Sequence, residues 1–489
     1  MSTSRIEQIQ TSRREKMQTL NQAGIAPFAG RFPDRTPSAT LHRVYADSDG
    51  PALEARNLTV RVAGRVISLR PHGKSGFAHL QDGSGRIQLY LHPAELDEQS
   101  QVIWTHLDLG DILGAEGHLM RTRTGELSVR VTHLTLLTKS LQPLPDKHHG
   151  LRDTEERYRS RHLDLLVNPE SRSIFEARSR IVSAIRRTLD QAGFLEVETP
   201  VLQSQAGGTI ARPFLTHHNA LDQPMALRIA TELHLKRLVV GGMERVYEIG
   251  RVFRNEGLST RHNPEFTLLE AYQAYAGYQE MMDLTEQLIR SAAVAAGGAL
   301  QVGEVDLAQP FRRITMIEAV HEATGLDFAQ LPGDLEAGHA CAAAGLSTTA
   351  TTWGGLLVEL FEAYAEADLI QPTFVLGHPV ESSPLARRDP ADPRLTERFE
   401  LYIHGREMAN AFSELSDPDD QRSRFEAQAG RRAGGDQEAH PLDEDFLAAL
   451  EVGLPPTGGL GIGIDRLVMF LTGATAIREV ILFPTLRTR

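Results

Sequence analysis

Residues 254–272 read RNEGLSTRHNPEFTLLEAY, and this stretch decides the fold. An alternating run from Val246 to Phe253 precedes it and is typical of a strand. A second alternating run, from Phe266 to Tyr275, begins inside it. The pattern predicts two strands joined by a polar connector that contains arginine, glutamate and histidine.

The second of these strands carries a polar face where a core strand would be apolar. Side chains alternate across a strand, so Phe266, Leu268, Glu270 and Tyr272 share one face. An aromatic ring, an acid and a phenol in a row beside a cationic loop suit a particular kind of ligand. We expect a molecule with an anionic end, a flat ring and a cationic end.

Size and composition indicate a multidomain protein of the reducing interior of the cell. The chain has 489 residues, of which 41% are hydrophobic and 24% charged, which is enough for at least two domains. No apolar run reaches the roughly 18 residues of a membrane span, and no secretory signal follows Met1. The single cysteine, Cys341, excludes an internal disulfide framework and favours a cytoplasmic location.

Charge is unevenly distributed along the chain. The net charge is −13 overall, but residues 1–150 carry +3 and the remainder carries −16. The N-terminal third is therefore the more plausible place for contact with nucleic-acid phosphates. Taken alone, a net charge of +3 over 150 residues is also ordinary for a domain without a nucleic-acid partner.

Strand and turn patterns divide the chain into four segments. Residues 1–56 form a predicted N-terminal helical extension, and residues 141–160 form a predicted linker. Residues 57–140 contain five short alternating runs with a helix-like stretch after the third, which predicts an OB-type barrel. Residues 161–489 mix long helices with alternating strands outside strict βαβ order, which predicts a mostly antiparallel sheet flanked by helices. The predicted fold class is α+β.

Further polar residues lie on a predicted hairpin between Glu397 and Leu415. A tight turn at His404 would place Glu400 roughly opposite Glu407. Two facing carboxylates are costly unless a cation lies between them, and magnesium on substrate phosphates is the natural candidate. The alternative is two solvated acids on an edge hairpin. The same strand continues with Asn410, Phe412 and Glu414 at period two.

A glycine-rich run, Gly458 to Arg466, suggests a flat platform. Gly459, Gly461 and Gly463 share one strand face, where a planar base could rest, although a tightly packed strand would look the same. Arg466 falls in the first turn of the following helix, where phosphate binding is favoured.

Together these motifs resemble the signature motifs of class II aminoacyl-tRNA synthetases. The matching segments are 194–200, 254–266 and 459–466. Five further segments are similar to the bacterial lysyl-tRNA synthetase family: 144–147, 207–214, 216–222, 232–237 and 410–415. The resemblance covers nearly all of residues 57–489. It implies ATP-dependent activation of L-lysine to lysyl-adenylate, followed by transfer of the lysyl group to the 3′ end of its tRNA.

The resemblance also implies roles for individual residues. Arg254 and Arg466 would be catalytic, Phe266 would stack on adenine, and Glu400 and Glu407 would bind about three magnesium ions together with the ATP phosphates. Implied ATP-binding residues are Arg254, Glu256, His262, Asn263, Phe266, Glu400, Gly463 and Arg466. Implied lysine-binding residues are Gly208, Glu232, Glu270, Tyr272, Asn410, Phe412 and Glu414.

Within the barrel, the resemblance implies that Phe77 stacks on an anticodon base and that Gln88 hydrogen-bonds one. Phe77 could equally be an ordinary aromatic of the barrel core. A third anticodon contact is not assigned: His133 or Thr135 falls where some relatives have an acid. The family is dimeric, so a homodimer is expected.

Several other readings remain open. Aspartyl and asparaginyl enzymes are the nearest rivals, but an aspartate pocket needs cations where Glu270 and Glu414 stand. A relative that attaches lysine-like groups to a translation factor lacks the N-terminal barrel. A catalytically inactive RNA-binding protein and a regulatory or assembly subunit are alternatives from other functional classes. Intact Arg254 and Arg466 speak against the inactive protein.

Overall fold

The computed structural model describes residues 3–72, 75–145, 151–209, 211–433 and 442–488. It divides into two compact units, Met1–Gly150 and Leu151–Arg489, so the division falls within the predicted linker. Residues 146–150 of that linker, and Ile210 in one of the matching segments, lie outside the described residues.

The first unit is built around a small barrel. Its strands are β1 (Thr59–His72), β2 (Ser75–Gln81), β3 (Arg86–Leu91), β4 (Ile112–Arg121) and β5 (Leu127–Thr138). They close in the order β1-β2-β3-β5-β4. The helices are α1 (Thr3–Gln22), α2 (Ser38–Val44), α3 (Gly50–Arg56) and α4 (Glu98–His106). Since α4 falls between the third and fourth strands, the predicted OB-type barrel is confirmed.

Alternation along the barrel strands determines which side chains face outward. Ala78 and Leu80 of β2 and Leu89 of β3 are buried in the barrel core. Their neighbours Phe77 and Gln88 therefore point to the other side of the sheet. The alternative of Phe77 as a core aromatic is wrong, because it is only partly buried and packs outside that core.

An ion cluster links α1 to residues that flank β4 and β5. The ammonium of Lys139 is fully buried and lies 2.6 Å from Asp108 Oδ2 and 2.8 Å from Asp111 Oδ2. Lys16 of α1 reaches the other oxygen of Asp108, 2.7 Å away. Asp108 is shared by Lys139 and by Lys16, so the cluster joins the N-terminal helix to the barrel. A carboxylate that is removed from water is stabilised by such cationic partners.

The second unit contains one large sheet and two small ones. Its strands are β6 (Leu195–Glu196), β7 (Leu202–Gln203), β8 (Leu215–His218), β9 (Gln223–Leu227), β10 (Arg245–Phe253), β11 (Glu265–Ala274), β12 (Gln301–Val302), β13 (Val305–Asp306), β14 (Arg312–Thr315), β15 (Thr373–Leu376), β16 (Arg398–Tyr402), β17 (Glu407–Ser413) and β18 (Thr457–Gly463). The eight-stranded sheet has the order β14-β15-β16-β17-β18-β11-β10-β6. Only its two outermost pairs are parallel, so the predicted antiparallel sheet is confirmed.

Helices cover this sheet and supply most of the core. They are α5 (Thr154–Arg159), α6 (Arg161–Val167), α7 (Pro169–Gln191), α8 (Glu232–Val240), α9 (Tyr278–Gly297), α10 (Met316–Thr324), α11 (Asp334–Ala343), α12 (Trp353–Tyr364), α13 (Pro418–Ala433), α14 (Glu444–Gly453), α15 (Ile464–Thr472) and α16 (Ile477–Val480). The main core packs α7, α9 and α15 against one face of the sheet. Among the helices of the described chain, none is long and apolar enough to cross a membrane.

The hairpin predicted over residues 246–275 forms, with small differences at its ends. Strand β11 begins at Glu265 and ends at Ala274, one residue short of the predicted end. Tyr275 cannot continue the strand because it adopts a left-handed φ of 60°. The predicted strand from Phe194 to Glu198 shortens to Leu195–Glu196.

Candidate active site

A cavity of about 370 Å³ opens over the centre of the eight-stranded sheet. Its walls come from the connector between β10 and β11, from strands β11, β16, β17 and β18, and from the start of α15. Most of the site residues predicted from the sequence line this cavity: Gly208, Glu232, Arg254, Glu256, His262, Asn263, Phe266, Glu270, Tyr272, Glu400, Glu407, Asn410, Phe412, Gly463 and Arg466.

Strand register explains how residues far apart in sequence meet in this cavity. Four strands pair so that their functional residues form two parallel rows. The first row is Glu400, Asn410, Gly461 and Glu270, and the second is Arg398, Phe412, Gly459 and Tyr272. Each glycine of β18 lies between two long side chains of its neighbours. The missing side chains leave room for a ligand against the backbone.

The outer end of the cavity is cationic and contains a partly buried aromatic ring. The guanidinium of Arg254 lies over the ring of Phe266, with its carbon 5.1 Å from the ring centroid. Burial lowers the pKa of Arg254, and Glu256, Glu407 and Glu270 act in the opposite direction. Arginine stays charged under such a shift, so this end of the cavity presents a desolvated cation.

The connector contributes polar residues with different kinds of contact. His262 Nδ1 lies 3.0 Å from Ser259 Oγ, and partial burial together with Arg466 lowers the pKa of His262, so the ring is neutral at pH 7. The amide of Asn263 donates to Glu265 O, 2.6 Å away, and accepts from Thr485 N at 3.3 Å. Asn263 thus borders the cavity with its amide group engaged in holding the connector.

Glu400 and Glu407 line the same cavity but are not directly opposite each other. Glu400 pairs with Asn410 in the regular part of the ladder, and an irregularity between Leu401 and Tyr402 then pairs Tyr402 with Glu407. The predicted facing pair is therefore wrong in register, because the hairpin is centred later in the sequence than the predicted turn. The two acids are diagonal neighbours on the same side of the hairpin.

Each of these two acids is paired with an arginine. Arg398 Nη2 donates to Glu400 Oε1 and the hydroxyl of Tyr402 donates to Glu400 Oε2, both at 2.5 Å. Arg466 Nη1 donates to Glu407 Oε2 at 2.8 Å. Among the described residues, no group of three or more histidines, cysteines and acids could hold a metal ion alone. Two carboxylates nevertheless fit magnesium, which binds through one or two acids and the substrate phosphates.

The inner end of the cavity is acidic and buried. Glu270 accepts hydrogen bonds from the backbone of Thr231, 3.2 Å away, and from the hydroxyl of Tyr272, 3.4 Å away. Burial, reinforced by the neighbouring charge of Glu232, raises the pKa of Glu270 to about 7. Burial also raises the pKa of Glu232. Acids in this state favour a cationic ligand, whose charge would keep them ionised.

Gly208 allows the chain to approach this acidic end closely. Its φ of 95° is accessible mainly to glycine, and an added methyl would lie 3.1 Å from Ala230 Cβ. The space beside Glu232 therefore depends on glycine at this position.

Glu414 lies behind the cavity wall instead of lining it. Glu414 is 2% exposed and packs against Gly459 on the side where an added Cβ would point, beside the ring of Tyr272. Oε2 of Glu414 is ion-paired with Lys236, while Oε1 has no hydrogen-bond partner among the described residues. Burial raises the pKa of Glu414 well above its usual range.

Two basic residues of the site were missed in the sequence. Arg398 donates to Asn410 Oδ1 at 3.0 Å as well as to Glu400, so it joins the two rows of the sheet. Lys236 follows Glu232 by four residues and lies one helical turn away. Period two in β16 and the one-turn spacing in α8 are the signals that could have identified them.

The outward face of the barrel forms a second polar surface. Phe77 packs against Tyr90 with ring centroids 5.3 Å apart. Gln88 donates to Glu126 Oε2 and accepts from Ser128 Oγ, each at 2.7 Å. Glu126 also lies 2.9 Å from His79 Nε2, so it belongs to the same face. His133 instead contacts Asp97.

Comparison with known proteins extends these observations over the whole chain. Residues 153–487 match the family model "tRNA synthetases class II (D, K and N)". Residues 60–137 match the model "OB-fold nucleic acid binding domain". Proteins named lysine–tRNA ligase are 55% identical in Enterococcus faecalis and 54% identical in Streptococcus sanguinis and Bacillus subtilis. These alignments cover 97–100% of this chain and 96–100% of each relative.

Two glycines of β18 differ sharply in the space around them. A methyl at Gly459 would overlap Glu414 Oε1 and lie 2.6 Å from Tyr272 Cε1, whereas at Gly461 the nearest atom is Asn410 O at 3.7 Å. We expect Gly459→Ala to lower the free energy of unfolding by about 1–3 kcal/mol through overpacking, with Gly461→Ala below ~1 kcal/mol. Urea unfolding of both variants measures this. Equal destabilisation would contradict the described packing.

Proposed function

The chain belongs to the class II tRNA synthetases for aspartate, lysine and asparagine, and from that premise we propose that it is a lysine–tRNA ligase. It activates L-lysine with ATP to lysyl-adenylate and transfers the lysyl group to the 3′ end of its tRNA. The observation that carries the proposal is a cavity with buried acids at one end and arginines at the other.

Charge at the inner end selects lysine within the family. Glu232, Glu270 and Glu414 cluster there, so an amino acid with a cationic side chain gains charged hydrogen bonds of about 1.5–3 kcal/mol each. An aspartate side chain would bring another anion to three buried acids. Tyr272 and Phe412 form the apolar walls around the side-chain stem. Gly208 and Glu232 are assigned to the α-amino end, and Asn410 is assigned to the side-chain pocket.

The outer end is assigned to ATP. Adenine stacks on Phe266, and Arg466 lies on its other face near the γ-phosphate; both residues line the cavity. Arg254 holds the α-phosphate. The residues assigned to the rest of the nucleotide are Glu256, His262, Asn263, Glu400, Gly463 and Arg466. Glu400 and Glu407 are the residues that would hold magnesium on the phosphates, where the ion supplies further positive charge.

The proposed reaction needs orientation and electrostatic stabilisation, with no protein nucleophile. The lysine carboxylate attacks the α-phosphorus of ATP, forms the acyl phosphate bond and expels pyrophosphate. The 3′-terminal ribose hydroxyl of the tRNA then attacks the lysyl carbonyl, and AMP leaves. Arg254 and Arg466 offset the negative charge that develops on the phosphate oxygens.

The barrel is assigned to the tRNA anticodon. Phe77 offers an aromatic face for stacking, and Gln88 offers an amide beside it. Because Glu126 contacts Gln88 on the same face, we assign Glu126 as the third residue of this surface. Its carboxylate supplies a hydrogen-bond acceptor for the third anticodon contact, which the sequence alone left unassigned.

A homodimer is the proposed assembly. Large apolar side chains of the segment around β6 to β9 are exposed, and a second copy of the chain would cover them: Leu195, Val201, Leu202, Leu215 and Leu221. Exposed apolar surface of this kind is typical of a subunit interface. We further propose a cytoplasmic location, where tRNA and ATP are available and Cys341 stays reduced.

Exchange of labelled pyrophosphate into ATP, measured with each amino acid in turn, tests the activity directly. We expect exchange with lysine and with no other standard amino acid. Arg254→Ala should lower kcat by about 100-fold or more through loss of a charge-stabilising donor, with the KM for lysine within threefold. Exchange with aspartate or asparagine, or no exchange at all, would contradict the proposal, and the latter result would support a protein that only binds RNA.

Lysine binding should depend on pH through the acidic cluster. Because the pKa of Glu270 is raised to about 7, its carboxylate is mostly neutral at pH 6 and ionised at pH 8. We expect kcat/KM for lysine to rise about tenfold between these values, following the ionised fraction. The apparent pKa belongs to the cluster with Glu232 and Glu414. Glu270→Gln should flatten the profile, and a flat wild-type profile would refute the role of Glu270.

The anticodon surface can be tested without disturbing activation. Phe77→Ala and Glu126→Gln should lower kcat/KM for tRNA in aminoacylation by about 5- to 100-fold, since a stacked base contributes about 1–3 kcal/mol. Lysine-dependent exchange without tRNA should stay within twofold. Phe28→Ala removes another exposed aromatic of the first unit and serves as the control. A loss with Phe28→Ala as large as with Phe77→Ala would refute the assignment.

The proposed dimer predicts a specific effect of a charge on the exposed apolar segment. Leu215, which is 79% exposed, would be buried by a second copy, so Leu215→Arg should yield monomers of 53.9 kDa. Leu335 on α11 is 74% exposed and provides a matched control in Leu335→Arg. Light scattering after size exclusion measures both masses. A monomeric wild-type protein at micromolar concentration would refute the assembly.

A further inference from the structure

A buried lysine of the chain itself lies at the acidic end of the cavity. The Lys236 side chain on α8 is fully buried. Its Nζ donates to Glu232 Oε1 at 2.6 Å and also contacts Oε2 of Glu414. Lys236 therefore joins the acid assigned to the α-amino end of the substrate with the acid behind the side-chain pocket.

Two aromatic rings complete the surroundings of this ammonium. Nζ of Lys236 lies 5.5 Å from the ring centroid of Phe412 and 5.7 Å from that of Phe446. Both distances are within the range of cation–π attraction. Lys236 is absent from the cavity wall, so it is fixed by these contacts and does not itself face a ligand.

Counting charges shows why a fixed cation is needed there. Three carboxylates converge on the inner end, from Glu232, Glu270 and Glu414. A bound lysine brings two ammonium groups to this cluster, while its carboxylate is assigned to the reacting phosphate held by Arg254, so one buried negative charge would remain without a counterion. An unpaired buried carboxylate is costly and takes up a proton. Lys236 supplies the third positive charge, and the cluster becomes neutral with substrate bound.

The contact also determines which oxygen of Glu414 is available. Lys236 occupies Oε2, whereas Oε1 lies on the side of Gly459 and Tyr272 and has no hydrogen-bond partner among the described residues. Gly459 and Tyr272 both line the cavity. The fixed ammonium thereby turns one acceptor of Glu414 towards the substrate side.

We propose that Lys236 is a positioning residue for lysine specificity, an inference that rests on the proposed function. Lys236 keeps Glu232 and Glu414 ionised, and it orients Glu414 towards the substrate ammonium. Loss of its charge leaves one acid protonated. A protonated acid no longer attracts an ammonium group, so the lysine site weakens while the ATP site, at the other end of the cavity, is unaffected.

Kinetics of lysine-dependent pyrophosphate exchange test this with Lys236→Met, which keeps length and volume but removes the charge. We expect the KM for lysine to rise at least tenfold and the KM for ATP to stay within twofold. Lys139→Met is the matched control, because Lys139 is a second fully buried lysine between two acids, in the other unit. It should leave both KM values within twofold of wild type.

A double-mutant cycle separates positioning from structural damage and remains informative should Lys236→Met not fold. Glu414→Gln and Glu414→Gln/Lys236→Met are compared, the latter replacing the ion pair with neutral groups of similar size. If Lys236 acts through the charge of Glu414, adding Lys236→Met to Glu414→Gln raises the KM for lysine less than threefold. A further tenfold rise overturns the proposal.

The single variant Lys236→Met provides a second test of the proposal. A folded Lys236→Met enzyme with a lysine KM within twofold of wild type, or with equal rises in the KM for lysine and ATP, also overturns the proposal. Failure of the proposed function is distinguishable, because the wild-type protein would then show no lysine-dependent exchange.

Discussion

Three carboxylates buried at one end of a cavity are the constraint on which the rest of this site depends. Removal from water raises the pKa values of Glu232, Glu270 and Glu414, so the cluster favours protonation until cations enter it. The protein supplies one cation, Lys236, and leaves the others to the ligand. Selectivity for a dibasic amino acid then follows from desolvation together with hydrogen bonding, because an uncharged analogue leaves buried acids without counterions.

Strand β18 makes this cluster accessible. Glycines stand opposite Glu270 and Asn410 in one row and opposite Tyr272 and Phe412 in the next. The long side chains of β11 and β17 therefore form two walls with backbone between them. The same closeness limits the strand, since Glu414 packs against Gly459 without space for a methyl group. Glycine is therefore required here by the buried acid as well as by the open space for a ligand.

Much of this arrangement could be predicted from the sequence because it rests on local periodicity. The polar face of β11 and the glycine face of β18 follow from alternation alone. The resemblance to a known family identified the residues from other segments that line the same cavity. Register was less predictable: Glu400 pairs with Asn410, and an irregularity between Leu401 and Tyr402 then pairs Tyr402 with Glu407, so Glu400 and Glu407 are diagonal neighbours. No local sequence pattern in this hairpin predicts such an irregularity in the strand register.

The residues missed in the sequence share one property, which is that their role depends on a partner in another element. From the sequence alone, Lys236 would be taken for a surface residue of an amphipathic helix. The structure shows instead that it is ion-paired with Glu414, which directly follows the distant strand β17. Glu126 lies just before β5, and its role becomes visible only from its hydrogen bond with Gln88 on the paired strand β3. Glu414, by contrast, was identified, but its position behind the wall depends on the packing of Gly459, which alternation does not determine.

Arg398 shows how the two ends of the cavity act as one site. Its guanidinium donates to Asn410, which is assigned to lysine, and to Glu400, which is assigned to the ATP phosphates. It also donates to Ser382 O and Ser383 Oγ, each at 2.9 Å, in a segment that closes the cavity. A reaction without a protein nucleophile depends on the relative placement of carboxylate and phosphate, and small displacements are costly. One planar group bonded to Asn410 and Glu400 fixes that placement in the sheet itself, before either substrate binds.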